Sequence, residues 1–151
     1  MKWLVSLTIL VCCAVSTGAG ADNAEVMLLT ETEGAMQNET HYGFAPSQVL
    51  QDKGPSVQII APDMEQEQKS PFRLQIKFVP KPGSVVQPNS LVVEALKFVT
   101  LDITSRVRPF TTSSGILIEN AKVPKGTHKI KISISDSNGG ITQQMYVVRI
   151  I

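Results

Sequence analysis

Phe72, Leu74, Ile76 and Phe78 alternate with Arg73, Gln75, Lys77 and Val79. A two-residue period turns one set of side chains to a buried face and the other outward, so this stretch predicts a strand. His128, Ile130, Ile132 and Ile134 alternate with Lys129, Lys131, Ser133 and Ser135 in the same way. Apolar runs at 57–61, 91–98, 116–123 and 141–150 supply four more strands. Turn residues separate them: Pro80-Lys81-Pro82-Gly83, Gln87-Pro88-Asn89-Ser90, Ser113-Ser114-Gly115, Pro124-Lys125-Gly126 and Ser137-Asn138-Gly139-Gly140. No long stretch has a helical period. Residues 102–107 can form one turn, with Asp102 as its cap. The last hairpin has two possible registers, because a slip of one residue swaps its faces. The register that turns Tyr146, Val148 and Ile150 inward is favoured, since it leaves Gln143 and Arg149 outside. The expectation is an all-β antiparallel sandwich over residues 54–151, with no internal repeat.

The start of the chain reads as an address. Met1-Lys2 is positive, residues 4–15 are apolar, and Ala19-Gly20-Ala21 has the small-x-small form of a secretory cleavage site. Residues 1–21 are therefore expected to be a signal peptide, with a mature start at Asp22. Leu10-Val11-Cys12-Cys13 is close to a lipobox, with Cys12 where a small residue belongs, so lipoprotein anchoring is the alternative. No apolar run reaches the roughly 18 to 20 residues of a membrane span. The expected location is periplasmic or fully secreted. Removing residues 1–21 from 151 leaves 130, with neither Cys nor Trp. Such an exported chain cannot be a disulfide scaffold and must stand on its core.

The mature chain is electrically divided. Residues 22–53 carry six acids (Asp22, Glu25, Glu31, Glu33, Glu39, Asp52) against Lys53, a net −5. Their periodicity is poor apart from Val26-Met27-Leu28-Leu29, which predicts a flexible acidic leader. Tyr42-Gly43-Phe44-Ala45-Pro46 is read as linker, with docking on a partner or on the domain as the other possibility. Asn38-Glu39-Thr40 fits a glycosylation acceptor in a eukaryotic secretory pathway. Residues 54–151 carry 12 Lys+Arg against 7 Asp+Glu, a net +5.

The run Pro124-Lys125-Gly126-Thr127-His128-Lys129-Ile130-Lys131-Ile132-Ser133-Ile134-Ser135-Asp136-Ser137-Asn138-Gly139-Gly140 resembles the end of bacterial immunoglobulin-like and fibronectin-III-like modules. Gly54-Pro55-Ser56-Val57-Gln58-Ile59-Ile60-Ala61-Pro62 looks like their first strand, and Pro88-Asn89-Ser90-Leu91-Val92-Val93 fits their middle. The resemblance implies an immunoglobulin-like sandwich of about seven strands over residues 54–151. It implies no particular activity, because such modules bind many things. The mature chain lacks the cysteine pair and core tryptophan of antibody-type domains.

Few residues offer chemistry. His128 shares the parity of three core isoleucines, so it is read as a corner residue whose ring nitrogen satisfies a backbone group, rather than as a ligand or base. Asp136, Asn138, Gly139 and Gly140 are read as a hairpin turn, since a calcium site needs several carboxylates and this loop has one. Lys122, Lys125, Lys129 and Lys131 form a basic stripe, read as a solvated face without the aromatics that stack bases. Near-neutral overall charge also argues against nucleic acid. No GxSxG, HExxH, phosphate-binding glycine loop or cysteine nucleophile is present in the mature chain. Glu94 and Asp102 can come close, but nothing in the sequence puts them in a cleft. The expected function is a non-catalytic interaction module, without cofactor, that contacts another protein through a sheet edge or through loops 80–90 and 100–115. The alternative is a small-ligand or copper-type carrier using Met27, Met36, His41 or His128.

Overall fold

A computed structural model of the chain describes residues 24–151, so the expected signal peptide lies outside the described residues. Two sheets face each other. In the first, β3 (Ser56–Ala61), β5 (Phe72–Val79) and β9 (Gly115–Lys122) run antiparallel in that order. β1 (Val26–Met27), parallel, and β8 (Thr111–Thr112) pair with the far side of β9. In the second sheet the order is β2 (Ser47–Asp52), β11 (Ile141–Ile150), β10 (Gly126–Asp136), β6 (Val86–Leu96) and β7 (Thr100–Asp102). β4 (Glu67–Gln68) adds a short parallel pairing to β11.

The alternating stretches are the strands. β5 and β10 carry the two alternating stretches, β11 occupies the predicted 141–150, and Ile76, Phe78, Ile132 and Ile134 are buried between the sheets. Ser135 pairs with Ile141 across the last hairpin, which turns Tyr146, Val148 and Ile150 into the main core. Met145 and Val147, on the opposite face, are also buried, in a second cluster with Leu96.

Three expectations need correction. Gln87-Pro88-Asn89-Ser90 is not a turn but lies inside β6. The β6–β10 ladder shifts register between Ser133 and Ser135, and a bulge is where a strand tolerates a proline. Ser90 stitches the irregularity: its hydroxyl donates to the Gln87 carbonyl at 2.6 Å and accepts from the Ser135 N–H at 2.9 Å. Residues 100–115 are likewise no open loop. They hold β7, α2 (Thr104–Val107), a 3-10 turn (Arg108–Phe110) and β8. Ile103 and Val107 enter the core, and Asp102 accepts the Thr104 N–H at 2.8 Å.

The third correction concerns the acidic segment. Residues 24–53, expected to be flexible, give a strand to each sheet: β1 against β9 and β2 against β11. Leu28 and Leu29 are buried in the main core. Between them and β2 stands α1 (Glu31–Ala35), opened by a capping box in which Thr30 and Glu33 satisfy each other's backbone N–H. Glu33 also makes a two-pronged ion pair with Arg106, both contacts at 2.7 Å. Poor periodicity misled here because the segment is held by contacts distant in sequence, not by a repeating apolar face.

Candidate interaction surface and the buried lysines beneath it

Leu91, Val93 and Ala95 of β6 point into the core, and Lys97 continues their parity just past the strand end. Its side chain is accordingly buried. Nζ donates to the Asn38 amide oxygen at 3.0 Å, to the Gly34 carbonyl at 3.2 Å and to His128 Nδ1 at 3.0 Å. An ammonium taken out of water needs such a set of acceptors. Burial, with no carboxylate beside it, holds Lys97 below the usual lysine range.

His128 is fully buried next to it. Because Nδ1 accepts from Lys97, the proton sits on Nε2, which donates to the Pro124 carbonyl at 2.8 Å. Burial first, then the Lys97 charge, lowers its pKa, although the Pro124 bond acts the other way. Both ring nitrogens are engaged with protein groups, leaving no lone pair for a metal.

Lys129 points to the opposite face of the same sheet and is also fully buried. Nζ donates to the Glu39 carbonyl at 3.0 Å, to Glu39 Oε1 at 2.9 Å and to the Tyr42 carbonyl. It lies 4.1 Å from the centre of the Phe44 ring, within cation–π range. The Tyr42–Phe44 cluster therefore docks on the domain. Glu39 is lowered from the usual carboxylate range by the Lys129 hydrogen bond and by the N–H groups of Tyr42 and His41, against an opposing push from burial.

The two lysines clip residues 34–44 around one end of the second sheet, and that end carries the most exposed large apolar side chain among the described residues. Lys97, Phe98 and Val99 link β6 to β7. Phe98 is 82 % exposed and Val99 55 %. The Phe98 N–H donates to the Gln37 carbonyl at 2.7 Å, and the Glu39 N–H donates to the Leu96 carbonyl at 3.1 Å. An exposed phenyl is thus carried on a backbone fixed from both sides, with a buried ammonium below it.

Other predicted residues are scattered. Asp136, Asn138, Gly139 and Gly140 form the β10–β11 turn: Asp136 Oδ1 accepts the N–H groups of Asn138 at 3.0 Å and Gly140 at 2.9 Å, and Gly139 has φ of 79°. The basic stripe is broken up. Lys122 pairs with Glu25 at 2.6 Å, Lys131 with Glu94 at 2.7 Å, and Lys129 is buried. Glu94 and Asp102 are register partners, but their side chains are taken by Lys131 and by Thr104. Met27 is half-exposed on β1, Met36 ends α1, and His41 lies exposed, edge-on to the Tyr42 ring. Among the described residues no group of three or more His, Cys, Asp or Glu is placed to hold a metal ion. No helix there is long and apolar enough to cross a membrane.

The glycosylation acceptor is also occupied. Asn38 Nδ2 donates to the Thr127 carbonyl at 2.8 Å while its oxygen receives Lys97. A glycan on that nitrogen would displace the clip. Sequence reasoning missed Lys97, Lys129 and the capping box. The motif Thr30-x-x-Glu33 and the parity of Lys97 with Leu91, Val93 and Ala95 were legible signals. Lys129 had none, lying on the polar parity of its strand. Compared with models of protein families, with curated proteins and with solved structures, the chain matches none of them.

Proposed function

We propose that this chain is an exported, non-catalytic interaction module of immunoglobulin-like type, and that it grips a protein partner with the Phe98–Val99 tip. Two facing sheets, with β3-β5-β9 adjacent in one and β7-β6-β10-β11 adjacent in the other, are compatible with a sandwich of that type. The observation that carries the function is the exposed Phe98 on a clipped backbone. An aromatic anchor held in place loses little conformational freedom on binding, and such residues dominate interface energies. A photo-crosslinking residue in place of Phe98, expressed in the native cells, should trap one dominant protein, while the same residue at Thr112, on the other sheet, should not. No reproducible adduct at position 98, or the same adducts at both positions, overturns the reading.

A further inference from the structure

The Lys97 ammonium has three N–H groups and three acceptors: the Gly34 carbonyl, the Asn38 amide oxygen and His128 Nδ1. The set depends on a neutral ring. A proton on Nδ1 turns that acceptor into a donor and puts a second positive charge 3.0 Å from the first, both of them out of water. Among the described residues nothing that faces the pair offsets this. α1 presents Gly34, the β9–β10 link the Pro124 carbonyl, β11 Val148 as the register partner of His128, and β6 the Ala95 carbonyl, none of them charged. The acids of the covering segment are engaged elsewhere: Glu33 with Arg106, Glu39 with Lys129 on the other face of the sheet, while Glu31 acts on Lys122.

The stretch that covers the pair is also weakly anchored. From Thr30 to His41 no residue is buried, and no apolar side chain joins either core cluster. Its hold on the second sheet is polar: the lysine contacts, the Asn38 amide on the Thr127 carbonyl, and the backbone bonds of Phe98 and Glu39. Segments with little buried apolar surface open before the rest of a fold.

We infer that protonation of His128 opens this end of the molecule: residues 34–39 lift from the buried pair, both charges reach water, and the backbone bonds that fix the Phe98–Val99 tip part. Loss of a partner in acid follows only if the tip is the partner site proposed above, whereas the opening rests on the pair itself. Burial first, then the Lys97 charge, keeps the closed ring neutral below its usual 6.5, while the open ring titrates normally. The ratio of open to closed form therefore climbs toward about tenfold per pH unit below 6.5, for as long as the closed ring stays neutral.

Amide hydrogen exchange of the free protein at about pH 7.5 and about pH 5, corrected for the intrinsic pH dependence of exchange, tests the opening. Glu33 and Glu39, both held below 4.5, stay ionised across that range. The Phe98 and Glu39 N–H groups should exchange faster than that of Phe78, which bonds the Ser114 carbonyl in the first sheet. Their opening should rise roughly five- to thirtyfold in acid. A smaller rise, or rates equal to that of Phe78 at both pH values, overturns the inference. His128→Gln keeps a donor and an acceptor but takes no proton, so it should abolish the rise; His41→Gln, at the other of the two histidines, should keep it. A rise retained in His128→Gln or lost in His41→Gln overturns the role of His128. If His128→Gln does not fold, the native sequence and His41→Gln decide. The crosslink at position 98 should weaken in acid, and equal yields at both pH values overturn acid release. No crosslink at either pH, with the exchange result intact, removes the partner reading and leaves the opening standing.

Discussion

Replacing Lys129 by methionine should destabilise the protein by about 3 kcal/mol. The side chain is fully buried, and its ammonium serves the Glu39 carboxylate and two carbonyls while facing the Phe44 ring. Removing one partner of a buried ion pair costs about 3–5 kcal/mol, because the other charge is left without compensation. Here the lower end applies. Glu39 keeps the N–H groups of His41 and Tyr42 and is 17 % exposed, so water can reach it in part. Methionine preserves the unbranched stem, so little of the loss comes from packing. For a chain of this size the change corresponds to roughly 10 °C in Tm. Urea unfolding of the full chain is the assay, run beside Glu39→Gln and the double variant. The double variant carries no stranded charge and should recover about 1 kcal/mol over Lys129→Met alone. Hydrogen exchange should locate the loss in residues 37–50. A loss under about 0.5 kcal/mol in Lys129→Met, or strictly additive single changes, would refute the view that this pair holds the acidic segment.

Acid should weaken a second clip. Arg106 first, then the Thr30 N–H, holds Glu33 at about 2, against a usual value of 4.5. A carboxylate lowered on folding adds stability that is present above pH 4.5 and lost as pH falls through 2. With its side chain 22 % exposed, the contribution is about 3 kcal/mol. The stability gap between the native sequence and Glu33→Gln, measured by urea, should therefore shrink to a few tenths of a kcal/mol by about pH 2; a gap independent of pH would contradict it. His128 is lowered on folding, so its neutral form stabilises above about pH 6.5 and that support fades as pH falls below it. Its NMR ring signals should stay neutral through pH 6.5 with a protected Nε2 proton; a protonated ring there would contradict the Lys97 hydrogen bond. Gly115→Ala should cost more than 2 kcal/mol, since φ is 150° and a Cβ would run into the Ile76 carbonyl oxygen across the β5–β9 ladder. A midpoint change below 0.5 kcal/mol in urea would show that the ladder yields there.

How much of this was written in the sequence depends on where each constraint comes from. β5 and β10 were legible because one buried face leaves a two-residue signature in Phe72–Phe78 and His128–Ile134. The inward parity of Tyr146, Val148 and Ile150 was legible too. Their opposite neighbours Met145 and Val147 were expected outside, yet are covered by a cluster that includes Tyr42 and Leu50 from the acidic segment. That covering depends on Lys129 reaching Glu39 across 90 residues, a pairing no local pattern encodes. Gln87-Pro88-Asn89-Ser90 has turn composition, but a tertiary bulge absorbed it and Ser90 repaired the ladder. The tip was hidden for a related reason. Phe98 alternates like a strand residue at the end of an apolar run, and its exposure follows from the chain reversing at Val99.

The central claim is that two buried lysines and the acidic segment hold Phe98 ready for a partner. Backbone ¹⁵N relaxation of the free protein measures this directly. Order parameters near 0.85 at Phe98 and Val99, like those of β6 and β10, and falling in Lys97→Met, are the expected result. Values below about 0.6 in the native sequence would mean a floppy loop and would contradict the claim.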